Sequence, residues 1–188
     1  MEPVIGLGTN AFDPEAVADA TGADVVELAA VAATTFPLAC PTTVAPDDIA
    51  AYIAANLSAE RFAAYLSDPS RVVLAARDSD RILGYAILIH GVGDDPDVAR
   101  AVRIRPATEL SKIYVLPECH GSGVAAALID TAVGRATTTG VRSMWLGVNQ
   151  KNHRAQRFYA KHGFTTAGTR TFQLGMRTEA DFVLTRSL

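Results

Sequence analysis

The run Val148-Asn149-Gln150-Lys151-Asn152-His153-Arg154-Ala155-Gln156-Arg157-Phe158-Tyr159-Ala160-Lys161-His162-Gly163-Phe164 constrains this chain more than any other stretch. It reads N-x-x-A-x-x-F-Y-x-K-x-G-F and follows the strand-like Met144-Trp145-Leu146-Gly147-Val148. Upstream lies His120-Gly121-Ser122-Gly123-Val124-Ala125, a glycine loop between a strand pattern and a helix pattern. A strand, a glycine turn, a helix, a strand and a second helix in that order call for a layered α/β domain.

The rest of the chain fills in that frame. Val25, Leu28, Ala29 and Ala32 fall at helical spacing within 23–34, and Phe36-Pro37 is expected to end that helix. Pro46-Asp47-Asp48 opens a second helix through about Asn56, with carboxylates near its positive end. Ser58 is an N-cap for a third, running to Leu66. Val72–Ala76 and Ile82–His90 are β-rich and separated by Asp78-Ser79-Asp80, which reads as a hairpin. Residues 91–106 read as a loop. Glu109–Val115 alternates as a strand, and 124–136 repeats apolar residues as an amphipathic helix does. Strands are expected at 144–148, 164–168 and 180–185, with a helix at 152–161. The expected architecture is one α/β domain spanning residues 1–188, a mixed sheet with helices on its faces; residues 1–22 carry no readable pattern.

Composition excludes several classes. With 188 residues, 49% hydrophobic and 20% charged, the chain suits one globular domain with a sizeable core, and not disorder. No run approaches the roughly 20 apolar residues of a membrane span, and no signal peptide is visible, so a cytoplasmic protein is expected. Cys40 and Cys119 show no metal spacing, and the four histidines, at 90, 120, 153 and 162, are scattered, so no metal site is expected. Charge is uneven. Residues 1–70 carry ten acidic groups and only Arg61 as a base, whereas 131–178 carry eight Lys or Arg and no Asp or Glu. One half suits a cationic partner, the other a polyanion.

Backbone N–H groups at a glycine turn that opens a helix bind pyrophosphate without a basic side chain. Gly121-Ser122-Gly123-Val124-Ala125-Ala126 also fits the dinucleotide fingerprint G-x-G-x-x-A, but that site needs an acidic residue about 20 positions on. None occurs between Asp130 and Glu179. A P-loop lysine and a nucleophile elbow are absent too.

Loop and helix motif together resemble the acyl-CoA site of the GNAT superfamily of N-acetyltransferases, whose loop pattern is Q/R-x-x-G-x-G/A. Gly123 and Ala125 match it, and His120 stands where Gln or Arg is usual. The resemblance implies a GNAT-type domain with a mixed, mostly antiparallel sheet, and acetyl-CoA as acyl donor. It further implies that Ile113, Tyr114 and Val115 pair with the pantetheine arm, that His120, Gly121, Ser122, Gly123, Val124, Ala125 and Ala126 hold the pyrophosphate, and that Asn152 contacts the donor. Three stretches, ELSKIYVLPECHGSGVAAALID, MWLGVNQKNHRAQRFYAKHGF and GTRTFQLGMRTEADFVLTRSL, resemble the PaiA-like polyamine N-acetyltransferase branch. The resemblance is specific over 108–188 and weaker over 23–107.

The mechanism so implied is direct attack of a primary amine on the thioester in a ternary complex. A lysine-like amine has a pKa of about 10.4, so a base must first take its proton. Glu109, at the start of the strand leading into the loop, is the candidate base; the other reading is an exposed strand-end carboxylate. Tyr159 is the candidate acid for the leaving thiolate, and a backbone N–H near Val115 is a candidate oxyanion donor. The segment 24–68 is expected to wall the acceptor site with Asp47, Asp48 and Glu60, favouring polyamines or lysine-like amines. The alternative is a non-catalytic acyl-CoA-binding or regulatory module. Nucleic acid is not an expected partner, because the basic segment has few aromatics to stack bases. Homodimerisation is left open.

Overall fold

A computed structural model describes residues 12–174 and 177–188. A seven-stranded sheet forms the middle layer, in the order β1-β2-β3-β4-β5-β7-β6. Its strands are β1 (Val17–Asp19), β2 (Arg71–Asp78), β3 (Arg81–His90), β4 (Ala107–Val115), β5 (Ser143–Asn149), β6 (Thr165–Leu174) and β7 (Arg177–Ser187). All neighbours are antiparallel except β4 and β5, which run parallel. Helices α1 (Val25–Ala39), α2 (Pro46–Asn56) and α3 (Ala59–Ser67) belong to one face, and α5 (Val124–Thr138) to the other. A short α4 (Pro96–Ala101) covers Trp145 and Val183, and α6 (His153–Lys161) follows β5.

The alternation of each strand explains the two cores. Leu74, Ala76, Ala86, Leu88 and Leu146 point to α5, where they meet Val124, Leu128, Ile129 and Ala132. Val73, Ala75, Tyr85 and Ile87 point the other way, to Leu28, Ala32, Phe36 and Phe62. Ser58 caps α3 by accepting from the Arg61 N–H at 3.3 Å. The β2–β3 hairpin turns on Ser79, whose φ of 53° is the left-handed value such a turn demands.

Five local expectations change. Helix α1 does not stop at Phe36-Pro37 but carries Pro37 in its last turn. Burial of Phe36 and its stacking on Tyr52, with centroids 4.5 Å apart, outweigh the lost backbone hydrogen bond. The stretch 91–106 contains α4, capped by Asp95, which accepts from Asp97 N–H at 2.8 Å, with Pro96 in the first turn. Six residues are too few for helical periodicity to register, and buried Val98 and Val102 hold them. The C-terminal strands extend well past 164–168 and 180–185, because β6 and β7 form one long hairpin. Of the segment 1–22, residues 17–19 add β1 to the sheet; residues 1–11 lie outside the described region. The helical run Gly22–Ala39 is also long and apolar enough to cross a membrane by length and composition alone, contrary to expectation. Here Leu28, Val31, Ala32 and Phe36 face the core, and Glu27 accepts from the Ile82 N–H at 2.7 Å.

Candidate active site

Strands β4 and β5 pair only over Ala107–Glu109 and Ser143–Trp145. Beyond Glu109 they part, and β4 keeps β3 as a partner through Val115. The opening is a cleft of about 590 Å³. The Leu116 N–H turns to Leu83 on β3, so the alternation turns the N–H and C=O of Val115 to the open edge. The His120 Nε2 lies 3.1 Å from that Val115 carbonyl.

A bulge sets the chemistry of this edge. The register passes from Ile87↔Lys112 to Leu88↔Leu110, which leaves Ser111 as the extra residue. In a regular strand Glu109 and Lys112 would face opposite sides. The bulge puts both on the α1–α3 face, opposite Ile89 and Ile87. Burial pushes the Glu109 carboxyl up, against the pull of Arg170, Lys112 and Arg71. Burial likewise pushes Lys112 down, against Glu109.

The glycine loop leads into the N-terminus of α5. Gly121 and Gly123 have φ of 83° and 99°, open only to glycine at low cost. Gly123 occupies the N-cap position and has no side chain to cap the first turn of α5. Nothing would meet a Cβ at Gly121 within 4 Å. The loop is tied from beneath by Ser122, whose Oγ donates to Cys119 O at 2.7 Å, and by the Phe12 N–H, which donates to Ser122 O at 3.2 Å. Within the loop the His120 and Ser122 N–H groups donate to Pro117 O at 3.1 Å and Cys119 O at 3.2 Å. A glycine turn that opens a helix N-terminus fits a pyrophosphate, and the free edge of β4 fits an extended amide chain.

Ile113, Tyr114, Val115, His120, Ala125, Asn152, Tyr159 and Glu109 all line the cleft. Gly121, Ser122, Gly123, Val124 and Ala126 lie beyond its lining, in the loop and first turn that continue it. Asn152 Oδ1 is engaged as the N-cap of α6, accepting from Ala155 N–H at 3.0 Å. Burial pushes the Tyr159 hydroxyl well up, so it keeps its proton at neutral pH. Cys40 also lines the cleft, with its thiol pushed up to about 11 by burial, and is no thiolate.

The acidic wall expected from 24–68 needs correction. That segment does line the cleft, but with Thr35, Phe36, Leu38–Pro41 and Tyr52; Asp47, Asp48 and Glu60 do not reach it. Among the described residues, the carboxylates that do are Glu109, Glu179 and Asp181. Glu179 and Asp181 are each 6% exposed and share a face of β7. Burial pushes Asp181 up, partly offset by Arg170, whose Nε lies 3.5 Å away. Asn149 Nδ2 donates to Glu179 at 3.3 Å. The guanidinium of Arg170 lies across Gly147 and 5.5 Å from the Trp145 ring centroid. None of Lys112, Asn149, Arg170, Glu179 or Asp181 was marked by a sequence motif. The alternating Glu179-Ala180-Asp181, two carboxylates on one face of a strand and followed by the apolar Phe182-Val183-Leu184, is the one available signal.

Comparison with known proteins agrees with this geometry. Residues 35–164 match the pattern of the acetyltransferase (GNAT) family. An uncharacterized N-acetyltransferase of Mycobacterium tuberculosis (strain ATCC 25618 / H37Rv) is 56% identical over 165 residues, covering 88% of this chain and 98% of the relative. A second uncharacterized N-acetyltransferase, from Lactobacillus delbrueckii subsp. lactis, is 24% identical over 88% of this chain and 92% of its own. Among solved structures, the PaiA N-acetyltransferase of Thermoplasma acidophilum in complex with coenzyme A superposes with a TM-score of 0.72 at 19% identity, covering 92% and 98% of the two chains. At that identity it speaks for the fold alone. With the parted strands and glycine turn in place, the family match and the mycobacterial relative show that this chain belongs to the GNAT family and is an N-acetyltransferase.

Proposed function

We propose that the enzyme transfers an acetyl group from acetyl-CoA to a cationic primary amine of the polyamine class, by direct attack in a ternary complex in the cytoplasm. The observation that carries this is the parting of β4 from β5 immediately after Glu109, which puts a half-buried carboxylate, the open edge of Val115 and Tyr159 in one cleft.

Ile113, Tyr114 and Val115 would hold the pantetheine arm by their backbone. The turn His120–Gly123 and the first turn of α5, Val124 to Ala126, would hold the pyrophosphate. Asn152 would contact the donor through the part of its side chain not engaged in capping. Acetyl-CoA supplies a thioester carbonyl. Glu109, its proton affinity raised by burial, takes a proton from the acceptor ammonium. The Val115 N–H faces the developing oxyanion. Tyr159, protonated at neutral pH, gives its proton to the departing thiolate. Most of the rate gain is positioning.

The acceptor half of the cleft supports the substrate class. Glu179 and Asp181 present buried carboxylates to the same cleft as Glu109, and the stacked Phe36 and Tyr52 form part of its wall. A flexible di- or polyamine offers several ammonium groups to these carboxylates. The PaiA-like stretches of the sequence point the same way. The test is release of free thiol from acetyl-CoA with diamines, spermidine, lysine-like amines and free amino acids, each at low and high salt. Di- and polyamines should lead at both salt levels, since carboxylates buried to this degree are screened far less than exposed ones. Preference for a neutral or anionic acceptor would sink the polyamine reading.

A further inference from the structure

The chain has only three lysines, Lys112, Lys151 and Lys161. Lys151 and Lys161 are exposed. Lys112 is the exception: it is half-buried, lines the cleft, and lies with its Nζ 5.9 Å from the Tyr52 ring centroid. The Ser111 bulge turns it to the same face as Glu109, and it stands three residues before Val115 on the open edge. A primary amine, a carboxylate base and an oxyanion donor therefore share one short length of strand. Burial also disfavours the ammonium form, with Arg71 and Arg170 adding repulsion against the pull of Glu109. A half-buried amine lining an N-acetyltransferase cleft is placed as an acceptor is placed.

We propose that Lys112 is itself acetylated by acetyl-CoA bound in the same cleft, a self-modification that rests on the acetyltransferase reading above. The Lys112 ammonium gives one proton to Glu109. The freed Nζ pair forms a bond to the thioester carbonyl carbon, and the resulting oxyanion faces the Val115 N–H. As the intermediate collapses, the C–S bond breaks, the thiolate takes a proton, and Nζ loses its second proton to water. The products are an Nζ-acetyl amide, free CoA thiol and one net proton. The neutral amide stays in the acceptor half of the cleft, where it resembles the product.

The experiment incubates the purified full chain with acetyl-CoA and no added amine, then reads intact mass and maps the acetylated peptide. One acetyl group should appear on Lys112, at a rate independent of protein concentration. It should exceed labelling of Lys151 and Lys161 by more than ~10-fold, well inside what positioning of bound reactants supplies. Lys112→Arg should take up no more than the ~10-fold lower background of Lys151 and Lys161. Equal labelling of the three lysines, or labelling of Lys112→Arg at the wild-type level, would overturn the proposal. So would an unlabelled Lys112 in wild-type protein that binds acetyl-CoA in a calorimeter and releases thiol with an amine. Loss of both binding and thiol release would instead overturn the acetyltransferase reading, and this proposal with it.

Discussion

Replacing Gly147 with alanine tests whether the buried charge cluster governs the base. A Cβ at Gly147 would fall 2.7 Å from Arg170 Cζ and 2.8 Å from its Nε, where ordinary contact begins near 3.4 Å. The guanidinium Nη2 lies closer still, so the group must lift by more than the ~0.7 Å that Cζ alone would need. Its Nε is already 3.5 Å from Asp181, so the lift breaks that pair or drags Asp181 along. Overpacking of this kind costs about 1–3 kcal/mol. For a domain of this size that lowers Tm by roughly 2–12 °C. Arg170 also holds the Glu109 carboxyl down, against the upward push of burial. With Arg170 displaced, Glu109 keeps its proton to higher pH, and the ascending limb of the kcat/KM profile moves to the alkaline side. Calorimetry and a pH–rate profile on the same variant read both effects. A Tm equal to wild type together with an unmoved profile would refute the coupling of Gly147, Arg170 and Glu109.

Glu109→Gln should lower turnover by roughly 10²–10⁴ at neutral pH and by less at alkaline pH, where the amine loses its proton unaided; an unchanged pH–rate profile would assign Glu109 to structure. The same variant should be more heat-stable at neutral pH. A carboxyl whose folded pKa is raised contributes stability below its unfolded pKa and loses it as pH rises through the folded value, and glutamine removes that loss; a Tm that falls at pH 7 contradicts this. Tyr159→Phe should lower kcat with little change in acetyl-CoA affinity; weaker binding at unchanged kcat would make the tyrosine a packing contact. Gly123→Val should abolish acetyl-CoA binding in a folded protein, since φ of 99° strains a β-branched residue; wild-type affinity by calorimetry would remove the loop from the site.

Local rules made much of this protein readable. The helices α2, α3, α5 and α6 have caps, first-turn carboxylates or apolar spacing that act within a few residues, and each formed where those signals lie. The hairpin at Ser79 and the glycine turn before α5 needed backbone angles that only particular residues adopt cheaply. The family followed from two such motifs in order. Tertiary structure decided the rest. Pro37 remains helical because Phe36 is buried and stacked, a gain made with Tyr52 sixteen positions away. The bulge at Ser111 is a property of the β3–β4 register, and it alone places Glu109 and Lys112 on one face. The cleft exists because β5 leaves β4 after three rungs of pairing. Its carboxylates come from β4 and β7, not from the acidic N-terminal segment, because net charge along a chain carries no information about which side chains a sheet turns inward. Capping and turn preferences act between near neighbours and are written in sequence. The Arg170–Asp181 pair, the room left by Gly147 and the parting of two strands arise between distant segments, and only the packed sheet brings them together.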